Sequence, residues 1–446
     1  MQRALVPFTF FSIKKEHDDK YSLHNRLTNK CFELNASAAY VASKCDGSRD
    51  FNELSTQFSE DYSVDLNEAK KAIEEFLSIL EKDRLLIWRT SKVEPIQVPP
   101  PKFLILEVTN RCNLNCIHCS VCANEGKRSE LTTKEWTTVI ADAASMGTQA
   151  LGLSGGEPLL RKDIFEIAAQ GTSRGLQVGL VTNGLLLNSE RIAKIKHLGL
   201  SVQVSLDGSK PWIHDKMRGS PGCFKKLMSK LELLKKEEVN LTIATVATKQ
   251  NYCDLPELLN LSESLGASAF RVQPFFPVGR GSRYKNDLDL DSKDTKEISM
   301  FLKEACKHTK MQTSGFYFQF LLDQEEVSDA VAGQDAACSG GYDFAGITPE
   351  GFVYPCSHVW QLGSDNVRDQ PFPWIWQNSR LLNFFRSIKK EDINSFCGEC
   401  KYFTKCLGGC RAMNLINGRI FDPDSHCWLA NPVSDFSPQI GARTNC

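Results

Sequence analysis

The sequence predicts an α/β protein built on a parallel sheet, preceded by a small module of mixed strands and helices and followed by a cysteine-rich unit. Three observations carry this expectation. Strand-like runs near Phe103–Thr109, Gln149–Leu153, Gln177–Thr182, Ser201–Leu206, Leu241–Ala247 and Phe270–Gln273 alternate with helical patterns such as Lys134–Met146 and Asp163–Thr172. Such repetition builds parallel sheets. The first 90 residues lack that rhythm. The 17 cysteines are uneven, with four between Cys112 and Cys122 and seven between Cys338 and Cys427.

At 446 residues and 41% apolar content the chain should hold two or three domains with sizeable cores. A formal net charge of −1 gives no electrostatic footprint for nucleic acid or an anionic membrane. No apolar run reaches membrane-spanning length, and the N-terminus lacks a charged-then-apolar signal. A cytoplasmic protein is therefore expected. In that compartment so many cysteines point to metal or redox chemistry and not to disulfides.

Residues 1–90 form the first unit. Apolar runs at Phe8–Ile13, Tyr21–Leu23 and Cys31–Leu34 read as a small antiparallel sheet. Asn35 caps a helix over Ala36–Lys44 that stops at Asp46-Gly47. A second helix runs over Phe51–Glu60. A third covers Leu66–Lys82, with Ala69, Ile73, Phe76 and Leu80 at helical spacing. Leu85-Leu86-Ile87 closes a winged-helix-like shape. A DNA-binding module should be basic, but this one has 13 Lys/Arg against 15 Asp/Glu. An uncovered sheet edge here invites strand addition. Residues 91–102, with Pro95, Pro99, Pro100 and Pro101, read as a semi-rigid linker.

The central unit spans 103–320. Cys112, Cys116 and Cys119, spaced C-x3-C-x2-C, follow its first strand. Three thiolates can hold three corners of a cubane cluster and leave one iron open; zinc or buried thiols are the bland alternatives. Loops after later strands carry Ser154-Gly155-Gly156-Glu157-Pro158, Thr182-Asn183-Gly184, Ser205-Leu206-Asp207-Gly208, His214 to Gly219 and Pro277 to Gly281. Reactive groups of β/α barrels occupy such loops. Cys122 is excluded as a fourth ligand, because a closed cluster could not bind a cofactor. Cys223, Cys253 and Cys306 read as buried or idle thiols. Asp207 and His214 are candidate acid–base groups without geometry.

The last unit, 321–446, carries Cys338, Cys356, Cys397, Cys400, Cys406, Cys410 and Cys427. Spacing alone also allows a zinc ribbon, although seven cysteines exceed what one zinc uses.

These motifs resemble the radical S-adenosylmethionine (radical SAM) enzymes that mature ribosomally made peptides. The resemblance narrows the fold to a partial (β/α)6 barrel. It implies an open iron on the Cys112/Cys116/Cys119 cluster that chelates S-adenosylmethionine, whose reductive cleavage yields a 5′-deoxyadenosyl radical. It implies cofactor contacts from Gly155, Gly156, Glu157, Asn183, Ser205 and Arg218, with Arg218 a partner for the cofactor carboxylate. The C-terminal array resembles the SPASM extension, which implies two auxiliary 4Fe–4S clusters and three in all. Cys397, Cys400, Cys406 and Cys427 would hold the outer one, and Cys338, Cys356 and Cys410 the inner one. The fourth site of the inner cluster is open to water, a substrate thiolate or a residue such as Cys306. The first unit resembles the small peptide chaperone of pyrroloquinoline quinone biosynthesis, which implies that residues 1–90 bind the leader of a precursor peptide.

The expected activity is an intramolecular side-chain crosslink, either a carbon–carbon or carbon–oxygen cyclophane or a thioether, with flavodoxin or ferredoxin as reductant. Oxidation of Cys or Ser in a protein partner, as in sulfatase maturation, is a second enzymatic reading. A zinc-stapled, non-enzymatic regulator is a third.

Overall fold

The computed structural model describes residues 6–431 apart from 10–12, 17–19, 26–29, 84, 90–91, 94–95, 126–128, 316–318, 323–337, 364 and 418–419. The chain begins with β1 (Val6–Thr9), β2 (Ile13–Lys15), β3 (Tyr21–Asn25) and β4 (Lys30–Leu34). Helices α1 (Ala36–Lys44), α2 (Phe51–Tyr62) and α3 (Leu66–Lys82) follow, then β5 (Leu86–Arg89). Strands β2, β3 and β4 make an antiparallel sheet, and β1 pairs antiparallel with β5. The start of α1 is fixed by the Asn35 side chain, which accepts from the Ala38 amide at 2.8 Å. Asp50 and Glu53 close a capping box on α2. Ala69, Ile73, Leu77 and Leu80 form the buried stripe of α3. Part of the strand expected over Phe8–Ile13 lies outside the described residues.

The central repeat runs β6 (Phe103–Thr109), α4 (Thr133–Met146), β7 (Ala150–Gly155), α5 (Ile164–Thr172), β8 (Gln177–Thr182), α6 (Ser189–His197), β9 (Ser201–Ser205), α7 (Pro211–Arg218), α8 (Cys223–Lys236), β10 (Leu241–Ala247), α9 (Leu255–Ser264), β11 (Ala269–Pro274), α10 (Lys285–Leu288) and α11 (Ser292–His308). Strands β6 to β11 pair parallel in sequence order. Three further strands extend this sheet: β12 (Gln312–Ser314), β13 (Phe344–Ile347) and β14 (Val353–Tyr354). The order is β12-β11-β10-β9-β8-β7-β6-β13-β14. The C-terminal segment therefore adds β13 beside β6, and Phe372, Ile375, Trp376 and Leu382 of its next helices pack into the same core as the barrel. Its remainder is α12 (Phe372–Asn378), α13 (Arg380–Arg386) and the short helices α14 (Ser395–Gly398), α15 (Phe403–Cys406) and α16 (Arg411–Ile416).

One core lies between the parallel sheet and its helices. A second joins the N-terminal module to the C-terminal unit, packing Leu34, Leu77 and Leu80 in one cluster with Leu381, Phe384 and Met413. The linker is pinned and not free. The Pro99 carbonyl accepts from Trp376 Nε1 at 3.0 Å, and the Ile96 amide donates to Asn383 Oδ1 at 3.2 Å. No helix among the described residues is long and apolar enough to cross a membrane.

Candidate active site

The site is built from the loop after β6, which every neighbouring strand end grips. Glu130 Oε1 accepts from the Asn110 amide at 2.8 Å, and Asn124 exchanges two 2.8 Å hydrogen bonds with the Cys112 backbone. Arg280 donates to the carbonyls of Cys116 and Ala123 at 3.2 and 2.8 Å. Trp360 Nε1 donates to the Ser120 carbonyl at 2.9 Å. A Cβ on Gly156 would stand 2.3 Å from the Arg111 carbonyl oxygen, and one on Gly279 2.4 Å from that of Ser120. Glycine is required at both because backbone meets backbone. This alters the reason for the Gly155-Gly156 pair: it lets the β7 loop press on the stem of the cysteine loop, where the Gly156 amide donates to the Thr109 carbonyl at 2.7 Å.

The strand ends enclose a cavity of about 410 Å³. Cys112, Cys116, Cys119, Gly155, Gly156, Asn183, Ser205 and Arg218 all line it. Glu157 does not. It is buried behind the wall, where its carboxylate accepts from Thr182 Oγ1 at 2.7 Å, the Asn183 amide at 2.8 Å and the Leu159 amide at 3.0 Å. It therefore fixes the end of β8, and Asn183 in turn donates to Asn113 Oδ1 of the cysteine loop at 2.7 Å. Burial pushes the Cys112 thiol up to about 11 and raises Cys116, and the neighbouring thiols add to both shifts. Cys122 takes a left-handed backbone, φ 51°, and is not among the cavity-lining residues.

Asp207, at the end of β9, organises the charges. Its Oδ2 pairs with Arg218 Nη2 at 2.8 Å and lies 3.5 Å from His118 Nε2. Its Oδ1 accepts from the Val246 amide at 3.1 Å, and its own amide donates to His214 Nδ1 at 3.1 Å. Burial raises this carboxyl, but Arg218, His118 and His214 outweigh it and bring it below the ordinary carboxylate value. Arg218 also points Nη1 at Cys116 Sγ, 3.7 Å away. His118, which no motif singled out, lines the cavity beside Cys116 and Cys119.

Cys356, Ser357 and His358 also line the cavity. His358 stacks on Phe276 with ring centroids 3.4 Å apart. Tyr354 donates to Glu107 Oε1 at 2.6 Å; a contact spanning this much sequence leaves no local signal. The array cysteines fall into two groups. Cys338, Cys356 and Cys410 lie close together: beyond burial, Cys338 raises Cys356, and both raise Cys410. Cys397, Cys400, Cys406 and Cys427 line a separate cavity of about 20 Å³. Cys306 is exposed on α11, with its thiol turned to the Lys303 carbonyl at 3.0 Å. Cys253 is disulfide-bonded, which corrects the expectation of an idle thiol.

Residues 106–262 match the Radical SAM superfamily. A relative described as the AdoMet-dependent heme synthase of Methanosarcina barkeri is 36% identical over 327 residues, covering 70% of this chain and 91% of the relative. The chain belongs to the radical SAM superfamily. In this radical SAM protein residues 21–86 match coenzyme PQQ synthesis protein D, and 338–401 match the SPASM iron-sulfur cluster-binding domain. The PqqA peptide cyclase of Rhizobium meliloti is 30% identical, covering 76% of this chain and 90% of the relative. The fold matches Streptococcus suis SuiB bound to precursor peptide SuiA, with TM-score 0.65, 16% identity, 94% of this chain and 99% of that chain.

A cubane fits the radical SAM triad. Its three thiols face one cavity, and beside them His118 Nδ1 and Arg218 Nε are buried without a hydrogen-bond partner. Among the described residues no three His, Cys, Asp or Glu side chains gather around a single-ion position. A cubane spreads its thiolates over different irons, so it needs a wider set than one zinc does.

Proposed function

We propose that the chain is a radical SAM peptide maturase that joins side chains within a ribosomally made precursor. One observation carries the reading: a single cavity is lined both by the Cys112/Cys116/Cys119 triad and by Cys356 of the second thiol group. Loaded with its cluster and S-adenosylmethionine, the triad supplies reductive cleavage of the cofactor and a carbon radical that takes hydrogen from C–H bonds. A crosslink removes two hydrogens from the peptide, so a redox group beside the substrate suits the chemistry.

The chain's own residues hold the geometry. Gly155, Gly156, Asn183, Ser205 and Arg218 bind the cofactor, Glu157 positions Asn183, and Asp207 fixes the Arg218 guanidinium. Cys338, Cys356 and Cys410 hold an inner cluster, and Cys397, Cys400, Cys406 and Cys427 an outer one. Residues 1–90 bind the leader, 91–102 link, 103–320 form the barrel and 321–446 the auxiliary unit. A low-potential flavodoxin or ferredoxin supplies the electron.

A second reading, action on a tetrapyrrole, is favoured by the 36% identity to a heme synthase. Co-expression with short peptides encoded beside the gene, followed by mass spectrometry, separates the two. A loss of two hydrogens per bond supports the maturase; unmodified peptides together with turnover of a porphyrin overturn it. Iron analysis should give about twelve atoms per chain.

A further inference from the structure

The wall made by β9, β10 and β11 carries a charge that none of these roles uses. Gln203 and Ser205 of β9, Ala244 of β10, and Arg271 and Gln273 of β11 face the cavity, as strand alternation requires. The register sets Ala244 beside both Ser205 and Arg271. The backbones of Ser205 and Arg271 therefore stand two strand spacings apart, roughly 10 Å, with only the Ala244 methyl on the strand between them. Other charges on the wall are matched: Arg218 by Asp207, and Glu107 by the Tyr354 hydroxyl. Among the described residues no hydrogen bond or ion pair satisfies Arg271, and desolvation alone acts on its pKa, lowering it. Arg271 is exposed to the cavity space, so its guanidinium is open to an incoming anion. Its planar fork suits a carboxylate, which takes two parallel N–H···O bonds. Gln273, two residues along the same strand and facing the same way, offers a neutral amide donor.

We propose that Arg271, with Gln273 beside it, is a substrate-binding site for a carboxylate, namely an acidic side chain of the peptide undergoing modification. The peptide as source rests on the maturase reading; the carboxylate chemistry does not.

The test uses anaerobic, cluster-loaded, full-length protein with S-adenosylmethionine present. Ligand-observed NMR compares N-acetyl-glutamate N-methylamide with N-acetyl-glutamine N-methylamide. The acid should bind at least tenfold more tightly than the amide. Arg271→Gln should erase that preference, and Arg271→Lys should keep part of it, at unchanged iron content. Equal binding of the two probes to the native protein overturns the proposal, as does a preference that survives in R271Q. If R271Q instead weakens S-adenosylmethionine binding tenfold and leaves probe selectivity intact, the arginine serves the cofactor and the proposal falls. A third arm uses coproporphyrin and its tetramethyl ester. Arg271-dependent binding of the free acid alone supports the carboxylate site and moves its source to a tetrapyrrole. A peptide modified by the protein without any acid-over-amide preference retains the maturase reading and removes this site.

Discussion

Arg89→Met should loosen the junction between the N-terminal module and the C-terminal unit. Arg89, on the last residue of β5, pairs with Asp392 at 2.9 Å, and both side chains are fully buried. It also donates to Ser387 Oγ and to the Ser387 carbonyl, each at 2.7 Å, and lies over the Phe384 ring at 5.1 Å. Methionine fills much of the same space but strands the Asp392 carboxylate in the interior. Removing one partner of a buried pair costs roughly 3–5 kcal/mol. At about 1.4 kcal/mol per tenfold, local opening should become more frequent by roughly two to three and a half orders of magnitude. Hydrogen exchange of the cluster-loaded protein reads this directly. Amides of β5 and residues 384–393 should exchange faster by that factor, while those of β8 should not change. Arg89→Met combined with Asp392→Leu should recover most of the loss, because no charge is then left unpaired. Exchange within threefold of the native protein refutes the reasoning, as does equal acceleration in β8 or a double variant as loose as the single one.

Gly156→Ala should damage the cysteine loop without touching a cysteine. Its Cβ meets the Arg111 carbonyl oxygen at 2.3 Å, so the loop stem must move, at a cost of about 1–3 kcal/mol. Iron content should fall by about four atoms per chain while the auxiliary clusters keep their spectra; full iron loading refutes it. His214 should make the barrel sensitive to acid. Burial lowers it to about 4, with Arg218 adding to the shift and Asp207 and Asp215 opposing it. The unfolded value is about 6.5, so the unfolded chain binds the proton first. Stability is therefore full above about pH 6.5 and is lost as pH falls toward 4, by about 3 kcal/mol in total. His214→Asn, whose Oδ1 can accept the Asp207 amide, should flatten that slope in urea titrations at pH 7 and 5.5; an unchanged slope refutes the assignment.

The parts legible in the sequence are those with local signals. The apolar runs that become β6 to β11 are bounded by turn residues, and the cap at Asn35 marks where α1 starts. Cysteine spacing separated the triad from the array. What stayed hidden depends on contacts distant in sequence. Nothing around residues 344–347 shows that they will lie beside β6, because a strand buried in a parallel sheet has no alternation to read. The Glu in Gly-Gly-Glu-Pro looks like a ligand-facing acid, yet its oxygens are consumed by Thr182 and Asn183. Asp207 stood out as a candidate acid–base group without geometry; its pairing with Arg218 needs α7 to fold back over the end of β9. Arg271 gave no signal, since a single arginine in a strand reads as a solvent-facing position.

The shared core also says which thiols a bound peptide can influence. Among the described residues the module shares its core cluster with none of the outer four cysteines. Its apolar residues pack in one cluster with Val359 and Leu362, which follow Cys356, and with Ala412 and Met413, which follow Cys410. Phe276 and Val278, from the segment leaving β11, belong to the same cluster, and Phe276 reaches the cavity where it stacks on His358. A close-packed core transmits small displacements, because its side chains have little void to absorb them. If a leader peptide orders the module, as proposed, the displacement reaches first the segments that carry Cys356 and Cys410 and the Phe276 side of the cavity. The triad loop is held from within the barrel by Glu130 and Asn124, whereas Arg280 and Trp360, neighbours in sequence of Val278 and Val359 in the shared core, tie it to that motion. Under the maturase reading, peptide capture would therefore be felt at the inner thiols and also, through Trp360 and Arg280, at the triad loop.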